Sequence, residues 1–257
     1  MFWKDKVVFL TGASSGIGEA LAIEISKRGA VVVGLLARRT EMLREISNKI
    51  EQNGGAARTF AVDVTDAGAV AKAAQSLRDE FGKVDVLLAN AGIGGGNRET
   101  KNLEAAAVFN VINTNLIGAV NSVAAVLPQM LERKSGQLVA ISSLAGFRGL
   151  PKSAAYSASK AGMTAYFESV RLDVQSKGVA VTIIQPGFIK TPLTSGREAN
   201  MPFLMELEDA VPLFLSAIER RKKFAAFPWQ LATLVRAARF FPAVLYDKIA
   251  DRARFRE

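Results

Sequence analysis

A short apolar run, Lys6–Thr11 (KVVFLT), passes straight into the glycine-rich turn Thr11-Gly-Ala-Ser-Ser-Gly-Ile-Gly18. The turn leads into Glu19–Arg28, where Ala22, Ile23 and Ile25 recur at helical spacing. A glycine motif is informative when it sits between a strand and a helix in this way. The run is continuous rather than alternating, as in a strand buried on both faces of a parallel sheet. Gly12 permits a tight turn, Gly16 lets the backbone approach a pyrophosphate, and Gly18 lets the helix pack closely. The helix N-terminus adds N–H donors and a positive dipole end for the same phosphates, with Ser14, Ser15 and Ile17 beside them.

The pattern continues along the chain. A second buried strand is expected at Val31–Leu36, then a helix at Thr40–Gln52 that stops at Asn53-Gly54-Gly55. Strand Ala57–Val62 leads to Asp63-Val64 and a helix at Asp66–Phe81. Strand Val84–Ala89 leads to Asn90-Ala91-Gly92 and a loose loop at Ile93–Asn97. One long apolar helix is expected over Leu103–Arg133, followed by strand Gln137–Ile141, helix Ala154–Gln175 and strand Val179–Ile184. Regular alternation of strands and helices implies a parallel, doubly wound sheet. No internal repeat or low-complexity linker divides the 257 residues, so one domain is expected.

The second strand ends in Ala37-Arg38-Arg39, where dinucleotide folds place the group that reads the adenosine ribose. No carboxylate stands there before Glu41, and guanidinium forks suit a 2′-phosphate, which favours NADP over NAD. The stretch Gly29–Arg39 is one residue longer than expected. Either the strand carries a bulge, or Arg39 rather than Arg38 faces the phosphate.

Composition narrows the chemistry. The chain has no cysteine and no histidine, which removes thiol catalysis, disulfides and the commonest metal ligands, so no metal site is expected. Proton transfer then falls to Tyr, Lys, Asp, Glu or Ser. Tyr156-Ser-Ala-Ser-Lys160 offers a phenol and an ammonium four residues apart on one helix face. A phenol ionises near about 10, and an adjacent cation lowers that value.

In their order and spacing these motifs resemble the short-chain dehydrogenase/reductase family over about residues 5–192. The resemblance rests on Thr11–Gly18, Asn90-Ala91-Gly92, Asn115-Leu-Ile-Gly118, the thirteen-residue gap from Ser143 to Tyr156, and Pro186-Gly187 followed by Thr191. It implies a Rossmann-like α/β fold of three layers, α/β/α, built on a doubly wound parallel sheet. It also implies an oxidoreductase that interconverts a ketone or aldehyde with its alcohol by hydride transfer. On this analogy Tyr156 is the acid/base, Lys160 tunes it and holds the nicotinamide ribose, and Ser143 binds the substrate oxygen. Asn115 would hold a water that continues the proton relay. Asp63 and Val64 would flank the adenine, Asn90 would bridge adjacent strands by its amide, and Pro186, Gly187, Ile189 and Thr191 would hold the carboxamide. Ser142 competes with Ser143, and strand alternation sends only one of them into the site; the family gap selects Ser143. NADP(H) is the expected cofactor, with NAD(H) possible, and homo-oligomers (dimer or tetramer) are common in the family.

The remaining third departs from that pattern. A lid is expected at about 193–222, where Met201, Phe203, Leu204, Met205 and Leu207 provide an apolar lining for a lipophilic substrate. From about 223 to 257 the chain forms a basic helical extension. A strand at Phe224–Phe227 precedes the stripe Leu231, Leu234, Val235, Ala238 and Phe241, and Pro242 interrupts it. Residues 219–257 hold ten Lys/Arg against four Asp/Glu, much of the net charge of +9. Such a helix can pack on its own core or a second subunit, or lie on an anionic bilayer. No aromatic-interleaved basic motif points to nucleic acid. The core is expected to begin near residue 6, which leaves no room for a signal peptide, and no apolar run is expected to reach the ~20 residues of a membrane span. The expected location is therefore cytoplasmic, soluble or peripheral at a membrane. Two alternatives on the same fold are a non-catalytic NAD(P)-binding regulator and a peripheral membrane protein.

Overall fold

Seven parallel strands in the order β3-β2-β1-β4-β5-β6-β7 form the centre of the computed structural model, which describes residues 1–95, 104–196, 198 and 201–252. The strands are β1 Val7–Thr11, β2 Val32–Ala37, β3 Ala57–Ala61, β4 Val86–Ala89, β5 Gly136–Ile141, β6 Val179–Pro186 and β7 Phe224–Phe227. Helices α1 (Gly16–Lys27), α2 (Thr40–Gln52), α3 (Ala67–Phe81), α4 (Ala105–Ile112), α5 (Gly118–Glu132), α6 (Ala154–Val174), α7 (Leu207–Glu219), α8 (Trp229–Ala238) and α9 (Ala243–Arg252) complete it.

Alternation along each strand divides the core in two. Val8 and Leu10 of β1 pack with α1, α2 and α7, while Val7 and Phe9 pack with α3, α5 and α6 on the other face. β1, β2, β4, β5 and nearly all of β6 are buried, which explains their unbroken apolar runs. The sheet grows from β1 through β2 to β3, and in the other direction from β4 to β7. The order therefore reverses between β1 and β4, and open α/β sheets bind ligands outside the strand ends at such a point.

The turn after β1 is sterically committed. Gly12 has φ +68°, and a Cβ there would lie 2.6 Å from the Ala91 Cα; a Cβ on Gly18 would lie 2.2 Å from the Gly12 carbonyl oxygen. Both positions admit only glycine without moving backbone.

Several sequence expectations are corrected. β2 pairs residue for residue with β1 (Val7 with Val32 through Thr11 with Leu36) and with β3, so it carries no bulge. The expected long apolar helix is not continuous: a π-helical turn, Asn113–Ile117, separates α4 from α5. Its expected start at Leu103, and the loop end at Asn97, lie outside the described residues. Among the described residues, Ala105–Glu132 is long and apolar enough to cross a membrane by length and composition, contrary to the expectation that no such run exists. Its residues Val111, Ala119, Val123, Val126 and Met130 are nevertheless buried in the protein. The core also starts earlier than residue 6. Trp3 is buried, and its indole N–H donates to Glu219 at 2.6 Å.

Candidate active site

A cleft of about 530 Å³ opens outside the C-terminal ends of the paired strands β1 and β4, where the strand order reverses. Its floor is the glycine turn, lined by Gly12, Ser14, Ser15, Gly16, Ile17 and Gly18. The segments that follow β4 (Asn90, Ala91, Gly92) and β3 (Asp63, Val64), together with the end of β6 at Pro186 and the loop beyond it (Gly187, Ile189, Thr191), form the rest of the rim. Asn90 holds the turn in place: its Nδ2 donates to the carbonyls of Thr11 and Gly12, both at 3.1 Å. Gly16 abuts Thr191, so the turn and the loop after β6 meet across the cleft.

The two arginines after β2 take different positions. Arg39 reaches back over the glycine turn, and its Nη2 donates to the hydroxyls of Ser15 at 2.7 Å and Ser14 at 2.9 Å. Arg38 pairs with Asp63 at 3.5 Å across the exposed rim. The Asp63 carboxylate accepts from the Thr65 N–H and hydroxyl. With Arg38 nearby, these bonds hold its pKa below the ordinary carboxylate value. Without a bulge in β2, Arg39 is the arginine laid over the turn, and both guanidinium groups line the cleft.

At the other side of the cleft, β5 delivers Ser142 and Ser143, and α6 delivers Tyr156 and Lys160. Strand alternation separates the serines. The Ser142 hydroxyl donates to the Lys160 carbonyl at 3.0 Å and shares a bond with Thr164, so it serves the helix. The Ser143 hydroxyl accepts from the Ala145 N–H at 3.1 Å and reaches the Pro186 carbonyl only at 3.4 Å. That long contact is weak and easily redirected to a ligand.

Lys160 is buried, with its Nζ donating to the Ile141 carbonyl at 2.8 Å and lying 6.0 Å from the centre of the Tyr156 ring. Burial pushes its pKa down to about 8, so the group is mostly charged at neutral pH but holds its proton less firmly than a surface lysine. Gly92 lies against it, since a Cβ there would come within 3.5 Å of Nζ.

Asn115 stands behind the cleft rather than on its wall. Its Oδ1 accepts from the Ile93 N–H at 2.7 Å, and its Nδ2 donates to the Ile93 carbonyl and to the Ser159 hydroxyl, each at 3.0 Å. The side chain is thus spent on fastening the loop after β4 to α6. The π-helical turn that carries it places Thr114 on the cleft wall.

The apolar lining differs from the expected lid. Of the five residues singled out there, only Met201 lines the cleft. Met205 and Leu207 pack on the core, and Phe203 is exposed, because Met205 pairs with Ile189 and turns the segment onto the sheet. Leu144, Leu150, Phe188, Leu193, Leu231 and Val235 supply the lining instead. Sequence reasoning missed them because they come from five separate segments; Leu231 and Val235 did appear in the amphipathic stripe of the extension.

The residues present fit a bound dinucleotide. A glycine turn too tight for a Cβ faces a helix N-terminus, two guanidinium groups flank the rim, and a buried ammonium lies beside the far wall. Comparison with known proteins points the same way. The family model for short chain dehydrogenase matches residues 6–202. An uncharacterized oxidoreductase of Myxococcus xanthus is 44% identical over 249 residues, covering 97% of this chain and 98% of that one. The 3-ketodihydrosphingosine reductase of Bacteroides thetaiotaomicron is 34% identical, covering 90% of this chain and 82% of that one. Among solved structures, a metagenomic short-chain oxidoreductase in complex with NADP is 30% identical, with a TM-score of 0.75 over 88% of this chain and 96% of that one.

Proposed function

Because this chain belongs to the short-chain dehydrogenase family of NAD(P)-dependent oxidoreductases, we propose that it interconverts a lipophilic ketone or aldehyde with its alcohol. NADP(H) is the preferred cofactor and NAD(H) an accepted one. The observation that carries this reading is one cleft that gathers Ser143, Tyr156 and Lys160 on one side and Arg38 and Arg39 on the other.

When bound, the dinucleotide would supply the hydride for reduction and, in its oxidised form, accept the hydride that leaves the alcohol carbon in oxidation. Everything else is work for side chains of this protein. Tyr156 gives its phenol proton to the carbonyl oxygen during reduction and removes a proton from the alcohol during oxidation. The Lys160 ammonium, buried beside the Tyr156 ring, stabilises the phenolate that reduction leaves behind. Ser143 turns its hydroxyl from the distant Pro186 carbonyl toward the substrate oxygen and stabilises the charge that develops there. Asn115 positions Lys160 indirectly, by tying Ile93 to Ser159 one residue before it. Arg39, held by two serine hydroxyls, and Arg38 supply the donors for a 2′-phosphate.

The apolar side of the cleft supports a lipophilic substrate, in keeping with the relative named for a ketodihydrosphingosine. The same reading takes the protein to be a cytoplasmic homo-oligomer, dimer or tetramer, with exposed Phe109 and Ile117 on the α4–α5 segment available for subunit contact. It also includes peripheral contact of the C-terminal helices with an anionic membrane. A screen of apolar ketones and aldehydes with NADPH and NADH tests the core of the proposal. Oxidation of NADPH by at least one carbonyl class is expected. Tight NADPH binding with no turnover across a broad panel would leave a non-catalytic dinucleotide-binding protein.

A further inference from the structure

The family match ends at residue 202, yet the cleft continues past it: Leu231 and Val235, one turn apart on α8, line the same cleft as Ser143, Leu150, Tyr156 and Met201. Leu231 presses on the loop after β6, where a Cβ on Gly187 would lie 2.8 Å from its Cδ2. Leu231 and Ala232 are buried against Leu144, Phe147 and Phe188. The inner face of α8 is thus packed on the segment that joins Ser143 to Tyr156.

A cation fastens this packing. Arg148 lies in that joining segment, and its Nη1 donates to the carbonyls of Ala238 at 2.5 Å and Phe241 at 2.9 Å, the C-terminal end of α8. Helix ends leave such carbonyls unpaired, and a guanidinium there also meets the negative end of the helix dipole. The guanidinium sits 3.7 Å over the ring of Tyr246 on α9, and the Tyr246 hydroxyl returns a bond to the Gly149 carbonyl at 2.5 Å. Arg236 of α8 lies over the ring of Phe147, 5.7 Å from its centre. One arginine therefore ties both terminal helices to the segment between two proposed catalytic residues.

We infer that α8 is the substrate-selecting wall of the active site, with Leu231 and Val235 setting how long an apolar tail the site takes, and with Arg148 as the positioning residue that holds the wall against the catalytic segment. The ligand class is a carbonyl compound with an unbranched hydrocarbon tail lying on Leu150, Met201, Leu231 and Val235. This inference rests on the oxidoreductase reading for its chemistry but on α8 for its selectivity.

The test uses the full chain, NADPH and a series of straight-chain methyl ketones of increasing length. KM and kcat are measured by NADPH oxidation, and ketone binding separately by the shift in melting temperature. For the native protein each methylene that reaches the wall should tighten binding roughly fourfold. Val235→Trp should end that gain at a shorter chain. Arg148→Ala should raise KM for the longer ketones by about tenfold, with kcat less affected and NADPH affinity nearly unchanged; Arg148→Lys, which keeps a donor and the charge, should recover part of the loss. The same chain-length profile in all four proteins would overturn the inference, and so would an Arg148→Ala defect equal for short and long ketones. If native protein turns over neither these ketones nor any carbonyl of the broader ketone and aldehyde panel, the oxidoreductase reading fails on its own. The binding series then still decides the wall: Val235→Trp either shortens the chain-length limit, as expected, or leaves it in place and refutes it.

Discussion

The ammonium of Lys160 sits where water is scarce, and its proton affinity reports that. Its pKa is about 8 in the folded chain against 10.5 for an unperturbed lysine, so between those values the unfolded chain binds one more proton than the folded one. Stability should therefore rise with pH through this window, by roughly 3 kcal/mol in all. Lys160→Met lacks the group and should lack the rise. Urea melts of both proteins from neutral pH to pH 10 should show native protein gaining on the variant above about pH 8; parallel curves would mean that Lys160 stays hydrated. Tyr156→Phe probes the neighbouring group. It should cut turnover by at least about 100-fold, the usual contribution of a positioned general acid, and leave NADPH affinity nearly unchanged. Comparable turnover would remove the proposed proton donor. Much of this pairing was legible in the sequence, because a chain without histidine or cysteine has few proton carriers and four-residue spacing on a helix places Tyr156 and Lys160 on one side. The division of labour between Ser142 and Ser143 followed from strand alternation once the resemblance chose between them, and the hydrogen bonds explain it: one hydroxyl serves α6, and the other faces the cleft. The engagement of the Asn115 amide with Ile93 and Ser159 was not legible, since it depends on a π-helical turn that periodicity does not reveal.

At the scale of elements, the junction of β2 and α2 shows both the reach and the limit of pattern reading. An extra residue between Gly29 and Arg39 had two readings, a bulge or a change of arginine. Continuous pairing on both sides of β2 removes the first. Arg39, at the N-terminal boundary of α2, folds back on the two serines of the glycine turn, while Arg38 points to Asp63. Replacing both arginines by alanine should weaken NADP by about tenfold to over 100-fold, the size of a lost charge-assisted contact, and weaken NAD far less. Fluorescence titration with each reduced cofactor measures this. Equal losses would mean that the pair stabilises the turn rather than reading a 2′-phosphate. Buried strands and the glycine turn were legible because their signals are local: an apolar run, and a Cβ that cannot exist at Gly12 or Gly18. The lid was not. Its apolar residues read as a lining, but the pairing of Met205 with Ile189 draws Met205 and Leu207 onto the core and leaves only Met201 in the cleft.

Across the whole molecule, charge and apolar surface coincide at the C-terminal end. Residues 219–257 carry a surplus of six positive charges out of the net +9, by ten Lys/Arg less four Asp/Glu. The inner face of α8 is occupied by the cleft, as packing on the core requires, yet Trp229, Phe240 and Val244 remain 72%, 86% and 71% exposed. The two sequence readings of this extension are therefore compatible, because they use different faces of the same helices. Exposed Arg239 adjoins Phe240 in the chain, and exposed Lys248 stands four residues after Val244 on α9, a basic and apolar composition suited to an anionic bilayer. Each cation near such a surface contributes about 1 kcal/mol, so Arg239→Glu with Lys248→Glu should weaken binding to phosphatidylserine-containing vesicles by about thirtyfold or more. Trp229→Ala with Phe240→Ala should weaken it too, but by an amount that salt does not change, because apolar insertion is not screened. Co-sedimentation of the three full-length proteins with anionic and neutral vesicles, at low and high salt, separates these contributions. The native protein should pellet with anionic vesicles and release as salt rises. Equal sedimentation of all three, or no preference for anionic lipid, would leave the exposed face to a second subunit, and the membrane contact would have to be abandoned.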